Sequence, residues 1–371
     1  MKILHICSDF PGSKVHQNLY QSLERLGVRQ EVYSYFIEKK YEGRNYFESE
    51  ATKIHYACIL GKYDRYFYRY KGWKVTRDLL RRVDVKTIDL SHATTLFSDG
   101  SVAYRLFKRY HIPYIVTVRN SDINIHLKKA RHEWSYGKKI LTNASRIVFI
   151  SEALRRNFCE HPYIRQFLAE IEGKMIVQPN GIDDYWLDHS EKDREVGADN
   201  HKLIYVGVYD GNKNIYRLSD AVLSLKEKYP DIRLTLVGGR GALKNEIRTL
   251  AEQHSDVLDY RGLVTDREEL RRIYREYSVF AMPSIYETFG LVYIEAMSQG
   301  LACVYTQGQG IDGMFGQAIG EAVDPRSVED IARGIDAIFT NRERYSNQEV
   351  DLERFRWGRI AKTYYELYVK V

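Results

Sequence analysis

The sequence predicts an α/β protein with two consecutive domains, each an open parallel β-sheet covered by helices. The length of 371 residues suits two domains of ordinary size. In both halves, short β-branched runs alternate with stretches of helical period, and a polar segment with little periodicity separates the halves. We therefore expect an N-terminal domain over 1–184, a linker over 185–200, a C-terminal domain over 201–350 and a final helix within 351–371.

The first series opens with a strand, a helix and a second strand, at 2–7, 15–27 and 31–36. This order is typical of a βαβ unit. Further strands are expected at 53–60, 86–91, 113–119, 146–151 and 174–179, with helices over 73–82, 101–110 and 128–141.

The second series repeats this alternation. Strands are expected at 201–208, 232–239, 257–262, 278–283 and 301–306, with helices over 214–228, 243–254, 268–277 and 292–299. Apolar and aromatic residues at helical spacing predict a last amphipathic helix over 352–369. Because open parallel sheets bind ligands beyond the carboxyl ends of their strands, functional residues are expected in the loops that follow strands.

Composition excludes several classes of protein. Hydrophobic residues make up 44% of the chain, too many for a disordered protein. The four cysteines are far apart and form no CxxC pair, so the sequence predicts neither a disulfide framework nor a zinc ribbon, and a cytoplasmic location fits best. We expect neither a signal peptide nor a membrane span, since the apolar runs are too short.

The net charge of +6 is unevenly distributed. Residues 1–190 carry 31 basic and 21 acidic side chains, a balance of +10, which leaves −4 for residues 191–371. Without a Lys/Arg tract this does not indicate a nucleic-acid partner. The basic half faces either an anionic lipid or phosphorylated ligand, or only solvent.

The segment 283–304 holds the densest set of polar residues with a chemical use. Glu287 lies in a loop, a helix is expected to open near Gly290, and Glu295 follows eight residues after Glu287. The amides of Phe289, Gly290 and Leu291 at such a helix start suit an anion. Glu295 sits in an apolar helix, where a carboxylate needs hydroxyl partners such as those of a ribose, unless it points to solvent.

Other site types are weaker. A hydrolytic carboxylate pair is disfavoured, because eight helical residues separate Glu287 and Glu295 by roughly 12 Å, beyond the separation that hydrolases use. The GQGIDG segment at 308–313 matches GxGxxG, but no convincing helix follows it. The sequence has no P-loop, HExxH or DxD pattern, so no metal is expected.

Taken together, the segments resemble the retaining glycosyltransferases of family 4. The segments that carry the resemblance are SHATTLFSDGSVAYRL (91–106), IPYIVTVRNSDIN (112–124), VQPNGID (177–183), YVGVYDGNKNI (205–215), LVGGRG (236–241), YRGL (260–263) and the E-x7-E stretch PSIYETFGLVYIEAMSQG (283–300). The resemblance implies the GT-B fold, in which two Rossmann-like domains face each other across a cleft and the final helix packs back on the first domain.

The resemblance also implies roles for single residues. Glu287, near the reacting carbon of the sugar, and Lys213, at the departing diphosphate, would be catalytic. Glu295 would hold the ribose of the donor. Further donor contacts are expected from Thr288, Phe289, Gly290, Leu291, Gly207, Gly238 and Arg240. The co-substrate would be a UDP, GDP or ADP sugar, with no metal and no other cofactor.

Three positions depart from the family pattern. Val208 stands where many members carry an arginine, which leaves the diphosphate to Lys213 and to helix amides. Arg119 stands where a histidine is common, and because an arginine cannot accept a proton at neutral pH, Asp122 is the nearby carboxylate to consider. Gly12 and Ser13 replace a Gly-Gly pair in the first loop. These four residues, Gly12, Ser13, Arg119 and Asp122, are the expected acceptor-side contacts.

The implied activity is transfer of a sugar to a hydroxyl of a sugar or a lipid-linked saccharide, in surface or capsular polysaccharide synthesis. The alternatives are an epimerase or phosphorylase of the same fold, or a non-catalytic subunit that binds nucleotide sugars. Residues 62–86 mix nine basic side chains with six aromatic ones. This mixture suits either a peripheral contact with an anionic membrane on its inner face, or inward-packed aromatics under a solvated basic face.

Overall fold

The computed structural model describes residues 1–64, 67–192, 194 and 201–371. The chain divides into two compact units. The first comprises Met1–Ile150, Leu154–Gly181 and Arg354–Val371, and the second comprises Ser151–Ala153 and Ile182–Glu353.

The strands of the described residues fall into two sheets. They are β1 (Lys2–Ile6), β2 (Arg29–Phe36), β3 (Thr52–Cys58), β4 (Leu90–Ala93), β5 (Tyr114–Val118), β6 (Arg146–Phe149), β7 (Met175–Val177), β8 (Lys202–Val206), β9 (Arg233–Val237), β10 (Leu258–Gly262), β11 (Val279–Ala281), β12 (Ala302–Thr306) and β13 (Gly320–Val323).

The α-helices of the described residues connect these strands. They are α1 (Lys14–Glu24), α2 (Tyr68–Arg82), α3 (Ser98–Tyr110), α4 (Trp134–Asn143), α5 (Glu152–Glu160), α6 (Pro162–Arg165), α7 (Leu168–Ile171), α8 (Asp184–Asp188), α9 (Ile215–Ser224), α10 (Lys244–Gln253), α11 (Arg267–Tyr274), α12 (Leu291–Ser298), α13 (Val328–Thr340) and α14 (Trp357–Val369).

Both sheets are parallel throughout and confirm the predicted fold class. The first sheet has seven strands in the order β3-β2-β1-β4-β5-β6-β7, and the second has six in the order β10-β9-β8-β11-β12-β13. In each sheet the order reverses beside the first strand of the series, between β1 and β4 and between β8 and β11. At such a point the loops after the two neighbouring strands run in opposite directions. This leaves a crevice at the carboxyl edge of the sheet.

The central strands are apolar because helices cover both faces of each sheet. Ile3, Leu4 and Ile6 of β1 and Leu203 and Ile204 of β8 are fully buried. Continuous apolar runs of this kind are typical of parallel sheets, in contrast to the alternation of a strand with one wet face.

The last helix packs on the first unit. Trp357, Tyr364 and Leu367 of α14 belong to one hydrophobic cluster with Leu19 and Leu23 of α1. Gly181 of the VQPNGID segment makes room for this helix, because a Cβ there would lie 2.6 Å from the indole of Trp357. The chain therefore ends on the same unit in which it begins.

Several expected boundaries are wrong. The strand expected at 86–91 is displaced, because Asp84 caps a 3₁₀ turn over Val85–Thr87 and β4 begins only at Leu90. The helix expected over 128–141 begins at Trp134, after a π-helical turn at Asp122–Leu127 and a 3₁₀ turn at Arg131–Glu133. The final helix begins at Trp357, five residues later than expected, after another 3₁₀ turn.

Other elements fall where no element was expected. The prediction left out the helices between β6 and β7 and the β13–α13 pair. The signal for α13 was present, since Ser327 caps it and Ile331, Ile335 and Ile338 are buried at helical spacing. Residues 185–188 of the expected linker belong to α8, and its residues 193 and 195–200 lie outside the described part of the chain.

No helix among the described residues combines the length and the apolar character that crossing a bilayer requires.

Candidate active site

The second unit gathers its polar loops at the carboxyl edge of its sheet. The loop 207–214 follows β8, the loop 238–243 follows β9 and the loop 282–290 follows β11. Because β8 and β11 flank the reversal of strand order, the first and third of these loops border the crevice.

Lys213 and Glu287 form an ion pair in this crevice. Lys213 Nζ lies 2.8 Å from Glu287 Oε2, and the two side chains are only 19% and 11% exposed. The other carboxylate oxygen, Oε1, accepts a hydrogen bond from the Thr288 N–H at 3.0 Å. The structure thus brings the two predicted catalytic residues together and shows that the Thr288 amide already has a partner in the protein.

Asn212 connects two of these loops. We call 207–214, which carries Lys213, the lysine loop, and 282–290, which carries Glu287, the carboxylate loop. Its side-chain amide donates to the Tyr286 carbonyl at 2.9 Å and accepts from the Tyr286 N–H at 3.0 Å. Its own carbonyl accepts from the Ile285 N–H at 2.8 Å. Asp210 closes the turn before Lys213 by accepting from the N–H groups of Asn212 and Lys213, each at 3.0 Å. Sequence reasoning missed Asn212, although it stands beside Lys213 within YVGVYDGNKNI.

Asn214 fixes the start of α9. It has left-handed backbone geometry with φ of 58°, a conformation that asparagine adopts more readily than most residues. Its buried side-chain amide donates to the carbonyls of Pro283 and Pro325, at 3.0 and 2.6 Å. These contacts hold the end of the lysine loop against the strand end that precedes Glu287.

The GQGIDG segment supports Glu287 rather than opening a helix. The side-chain oxygen of Gln309 accepts from the Glu287 N–H at 2.8 Å, and the Gln309 amide donates to the Ile285 carbonyl at 2.9 Å. The N–H of Gly310, whose φ is 57°, donates to the Glu287 carbonyl at 3.2 Å. A Cβ on Gly310 would lie 3.0 Å from Glu287 Cγ, so the glycine permits this close approach. Turns and bends occupy residues 307–314.

Helix α12 presents its first amides beside this pair. Gly290 precedes the helix with φ of 81°, which favours glycine. Within the described part of the chain, the N–H groups of Gly290 and Leu291 donate to no acceptor. Phe289 itself is buried. Unpartnered amides at a helix start favour an anion, as the sequence predicted for this position.

Glu295 lies one turn into α12 and is half-buried. Burial raises the pKa of its carboxyl to about 7, with a further upward contribution from Asp183 and an opposing one from Arg267. Asp183 and Arg267 form an ion pair of their own at 2.7 Å. No group in the described residues donates a hydrogen bond to the Glu295 carboxylate, so its oxygens are available to hydroxyl donors of a ligand.

The two strand-end glycines allow their loops to meet. A Cβ on Gly238 would lie 2.1 Å from the Gly207 carbonyl, so only glycine fits between the ends of β8 and β9. A Cβ on Gly207 would lie 2.7 Å from the Tyr205 hydroxyl. Arg240 is exposed, and its carbonyl accepts from the Tyr209 N–H at 2.7 Å. These packing roles are clear in the structure, whereas donor contacts of the three residues remain predictions.

In the first unit, the loop after β1 carries Gly12 and Ser13. Gly12 ends a 3₁₀ turn, and a Cβ there would lie 2.4 Å from Asp9 Oδ1. Ser13 caps α1, its hydroxyl accepting from the Val15 N–H at 3.3 Å. Both residues thus shape the loop locally, and their contact with an acceptor stays a prediction.

Asp122 is occupied by the backbone around it. It is 1% exposed and accepts from the N–H groups of Leu96, Phe97 and Arg119, at 3.0, 3.2 and 2.9 Å. Burial raises the pKa of Asp122 to about 6. The Arg119 Nε in turn donates to the Thr94 carbonyl at 3.1 Å. Asp122 therefore organises the loops after β4 and β5.

Asp99 is a carboxylate that the sequence did not single out. It is fully buried at the start of α3 and accepts from the hydroxyls of Tyr35 and Thr94, at 2.7 and 2.8 Å, and from the Ser8 N–H at 3.3 Å. Desolvation raises the pKa of Asp99. It joins the ends of β1, β2 and β4 at the edge of the sheet where Arg119 also lies.

Comparison with known protein families decides the assignment. The model described as Glycosyltransferase Family 4 matches residues 13–185, and the model described as Glycosyl transferases group 1 matches residues 188–350. The chain belongs to the family 4 type of GT-B glycosyltransferases.

Relatives of this glycosyltransferase are distant in sequence and similar in fold. An uncharacterized glycosyltransferase of Methanocaldococcus jannaschii is 24% identical over 319 residues, covering 84% of this chain and 80% of its own. The sucrose-phosphate synthase of Thermosynechococcus elongatus superposes with a TM-score of 0.73 at 20% identity, covering 100% of this chain and 98% of its own. HepE of Anabaena in complex with UDP gives 0.72 at 16% identity, with both chains fully covered. At these identities the structures show the fold of this glycosyltransferase and leave its substrates open.

Proposed function

We propose that this glycosyltransferase moves a sugar from a nucleoside-diphosphate donor to a hydroxyl acceptor, with retention of configuration and without a metal. The observation that carries the proposal is the pairing of Lys213 with Glu287 at 2.8 Å, beside the open amides that begin α12. The site thus combines a cation and backbone donors for an anionic leaving group with a carboxylate for sugar hydroxyls.

The reaction breaks the bond between the anomeric carbon and the diphosphate oxygen and forms a bond from that carbon to the acceptor oxygen. Negative charge grows on the departing diphosphate, where the Lys213 ammonium and the N–H groups of Gly290 and Leu291 stabilise it. The departing phosphate oxygen takes the proton of the acceptor hydroxyl on the same face of the sugar. Glu287 accepts hydrogen bonds from the sugar hydroxyls and orients the ring. Electrostatic stabilisation is then the main contribution of the protein.

Glu295 fits the ribose of the donor. Its carboxylate has no donor within the described residues and lies one helical turn beyond the amides proposed for the diphosphate. Ribose hydroxyls would supply the hydrogen bonds that a half-buried carboxylate needs. In this proposal the diphosphate binds at the start of α12 and the nucleoside binds along it.

The nucleoside of the donor is proposed from a protein of the same fold. HepE, which shares the fold, was solved with UDP, which supports a uridine nucleotide as the first donor to test. GDP and ADP sugars belong in the same panel, because the proposed contacts concern ribose and phosphate and none identifies the base.

We further propose a saccharide acceptor, free or lipid-linked, and a role in surface or capsular polysaccharide synthesis on the cytoplasmic side of the membrane. The basic first half of the chain supports an acceptor that carries negative charge. A peripheral membrane contact through residues 62–86 stays a prediction from the sequence. Residues 65 and 66 of that segment lie outside the described residues.

A donor panel tests the proposal. Purified protein is incubated with UDP, GDP and ADP sugars labelled in the sugar, with and without EDTA, and label is followed into saccharides and water. Transfer that survives EDTA supports the proposal. Donor binding with no transfer and no hydrolysis would identify a non-catalytic nucleotide-sugar subunit, and isomerised donor or reversible phosphorolysis would identify an epimerase or a phosphorylase.

A further inference from the structure

A groove of about 830 Å³ runs along the helices α2, α3 and α4 of the first unit. All of its lining side chains come from these three helices, and none is among the residues discussed for donor or acceptor. Its volume lies in the range of ordinary ligand sites.

The groove is basic, and its cations have no acidic partners in the described part of the chain. Helix α2 contributes Arg69, Arg77 and Arg81. None of the lining residues is acidic. Within residues 1–64, 67–192, 194 and 201–371, these arginines form no salt bridge with a carboxylate. On the same helix, Lys74 and Arg82 point elsewhere and are paired with acidic side chains.

The opposite wall repeats the pattern. Helix α3 contributes Arg105, Lys108 and Arg109, and α4 contributes Lys139. Across the described chain these four cations, too, lack a salt bridge to an acidic side chain, whereas Lys138, next to Lys139, pairs with Glu170 at 2.8 Å. Cations facing one another across a concave surface without counter-ions concentrate positive potential inside it.

The floor of the groove holds the guanidinium group of Arg105. Arg105 is half-buried, and its Nη2 donates to the Arg69 carbonyl at 2.9 Å. Its Nε is buried and has no hydrogen-bond partner among the described residues. The Arg105 guanidinium is thus anchored in the groove by its Nη2, and no carboxylate among the described residues balances its charge.

Aromatic faces accompany the cations. The Arg77 guanidinium lies 5.5 Å from the ring centre of Trp73, and the Arg69 guanidinium lies 5.5 Å from that of Tyr136. Tyr104 meets Tyr136 edge to face at 5.7 Å. A chain of acidic sugar rings alternates charged groups with flat apolar faces. Such a ligand matches a groove in which aromatic rings stand among cations.

The elongated shape of the groove favours a chain-like ligand over a flat membrane surface. From Arg69 to Arg81 the helix rises by roughly 18 Å, the length of several sugar rings. A flat bilayer would reach the exposed walls at Arg77 and Arg109 and would not reach the half-buried Arg105. Because α2 begins after β3, at the carboxyl edge of the sheet, the end of the groove at Arg69 is nearest to the expected acceptor residues.

We propose that the α2–α3–α4 groove binds an anionic saccharide chain, whose carboxylate or phosphate groups pair with the unpartnered cations. Its further role, holding the growing end of an acidic acceptor for elongation, rests on the proposed function. The binding itself does not depend on transfer.

The test is a binding titration on the full chain without donor. The probe is a fluorescently labelled oligogalacturonate of ten residues, with labelled maltodecaose as the neutral match. Wild-type protein is expected to bind the acidic probe at least about tenfold more tightly than the neutral one, with affinity falling as NaCl rises from about 50 to 300 mM. Equal binding of the two probes would overturn the proposal.

Two variants of equal charge loss locate the site. The groove variant carries Arg77→Gln, Arg81→Gln and Arg109→Gln, and the control variant carries Lys74→Gln, Arg82→Gln and Lys138→Gln. The control also removes three positive charges, two from α2 and one from α4, but only at cations that are already paired. We expect a loss of about tenfold or more in the groove variant and less than about twofold in the control. Similar losses in both would reduce the effect to net charge and contradict a site. Thermal unfolding of each variant identifies any loss of fold.

A vesicle-binding experiment distinguishes an acidic saccharide from an anionic membrane as the ligand of the groove. Flotation uses vesicles of phosphatidylcholine with 30% phosphatidylglycerol, with the mole fraction chosen to represent an anionic membrane. Vesicle binding that disappears in the groove variant, together with no binding of oligogalacturonate, would make the groove a membrane surface and overturn the proposal. Saccharide binding without any donor turnover would leave the groove assignment standing and refute only the proposed function.

Discussion

The Nζ of Lys213 lies 2.8 Å from the Oε2 of Glu287, although 74 residues separate the two in the chain. The parallel sheet explains this pairing, because β8 and β11 are neighbours and their carboxyl ends meet at one edge. The two charges neutralise each other in the structure. A diphosphate that draws Lys213 toward itself would leave Glu287 able to accept hydrogen bonds from the sugar.

Substitution of either member of the pair should reduce transfer by different routes. We expect Glu287→Ala to abolish it, because the sugar loses its orienting carboxylate. Lys213→Ala should lower kcat by about 10²–10³, the usual loss when one group that stabilises transition-state charge is removed. Steady-state kinetics with the donor found in the panel measure both. Arg248→Ala, an exposed cation on α10 of the second unit, serves as the control. Wild-type rates in Glu287→Ala would refute the site assignment.

Asn212 should act as a positioning residue. Asn212→Ala removes the two side-chain hydrogen bonds to Tyr286 and loosens the lysine loop from the carboxylate loop. We expect kcat to fall by about tenfold, since misplacement of catalytic groups is costly, with little change in the Kd for the nucleoside diphosphate. Asn341→Ala, at an exposed helix end, is the matched control. A parallel fall in thermal stability and in nucleotide affinity would instead indicate a merely structural role.

Glu295 should make stability depend on pH. Burial raises the pKa of its carboxyl from 4.5 to about 7, so between these values the folded chain holds a proton that the unfolded chain has released. The free energy of unfolding therefore falls as pH rises through this window, by at most about 3 kcal/mol at 1.36 kcal/mol per pKa unit. Denaturant unfolding at pH 5 and pH 8 measures the fall. In Glu295→Gln the fall should be smaller by that amount, and an unchanged pH dependence would contradict the assignment.

The same carboxylate should couple nucleotide binding to protons. Ribose hydroxyls favour the ionised form, so binding should lower the pKa of Glu295 and release a proton. Calorimetry at pH 6.5 in buffers of different ionisation enthalpy would show this release for wild type and its absence for Glu295→Gln. The Kd for UDP should also weaken in Glu295→Ala more than kcat falls. Proton uptake on binding would contradict the proposed contact.

Asp122 should contribute mainly to stability. Asp122→Asn keeps the shape but places an amide that can offer two N–H groups among three backbone N–H donors. We expect a loss of about 2 kcal/mol in the free energy of unfolding. Glu38→Gln, which breaks an exposed ion pair with Lys40, should cost less than about 0.5 kcal/mol. Chemical denaturation compares the two. An equally small cost in Asp122→Asn would show that these backbone bonds contribute little.

The fold could be predicted because it is expressed in local patterns. Strand runs such as 201–208 and 232–239 are mostly apolar, and the alternation of strands and helices indicates parallel sheets. Boundaries failed where a polar side chain ended or delayed an element, as Asp84 does before β4. Irregular turns such as 122–127 follow from tertiary contacts of Asp122, which no local pattern reports.

The sequence predicted the charged residues of the candidate site but not the residues that hold them in place. Glu287, Glu295 and Lys213 stand in segments whose residue types already suggest chemistry. The hydrogen bonds of Asn212, Asn214 and Gln309 link segments far apart in the chain, so they emerge only when β8, β11 and β12 lie side by side. The GQGIDG turn illustrates the limit, since its glycines resemble a nucleotide-binding loop and instead fit around Glu287.

The anomeric configuration of the transferred sugar distinguishes retention from inversion. The product formed from the donor identified in the panel is examined by proton NMR, through the coupling constant of the anomeric proton, for wild type and for Glu287→Ala. The proposed mechanism predicts the same configuration in product and donor for the wild type, and no product for Glu287→Ala. An inverted product, or a retained product formed by Glu287→Ala at the wild-type rate, would contradict it.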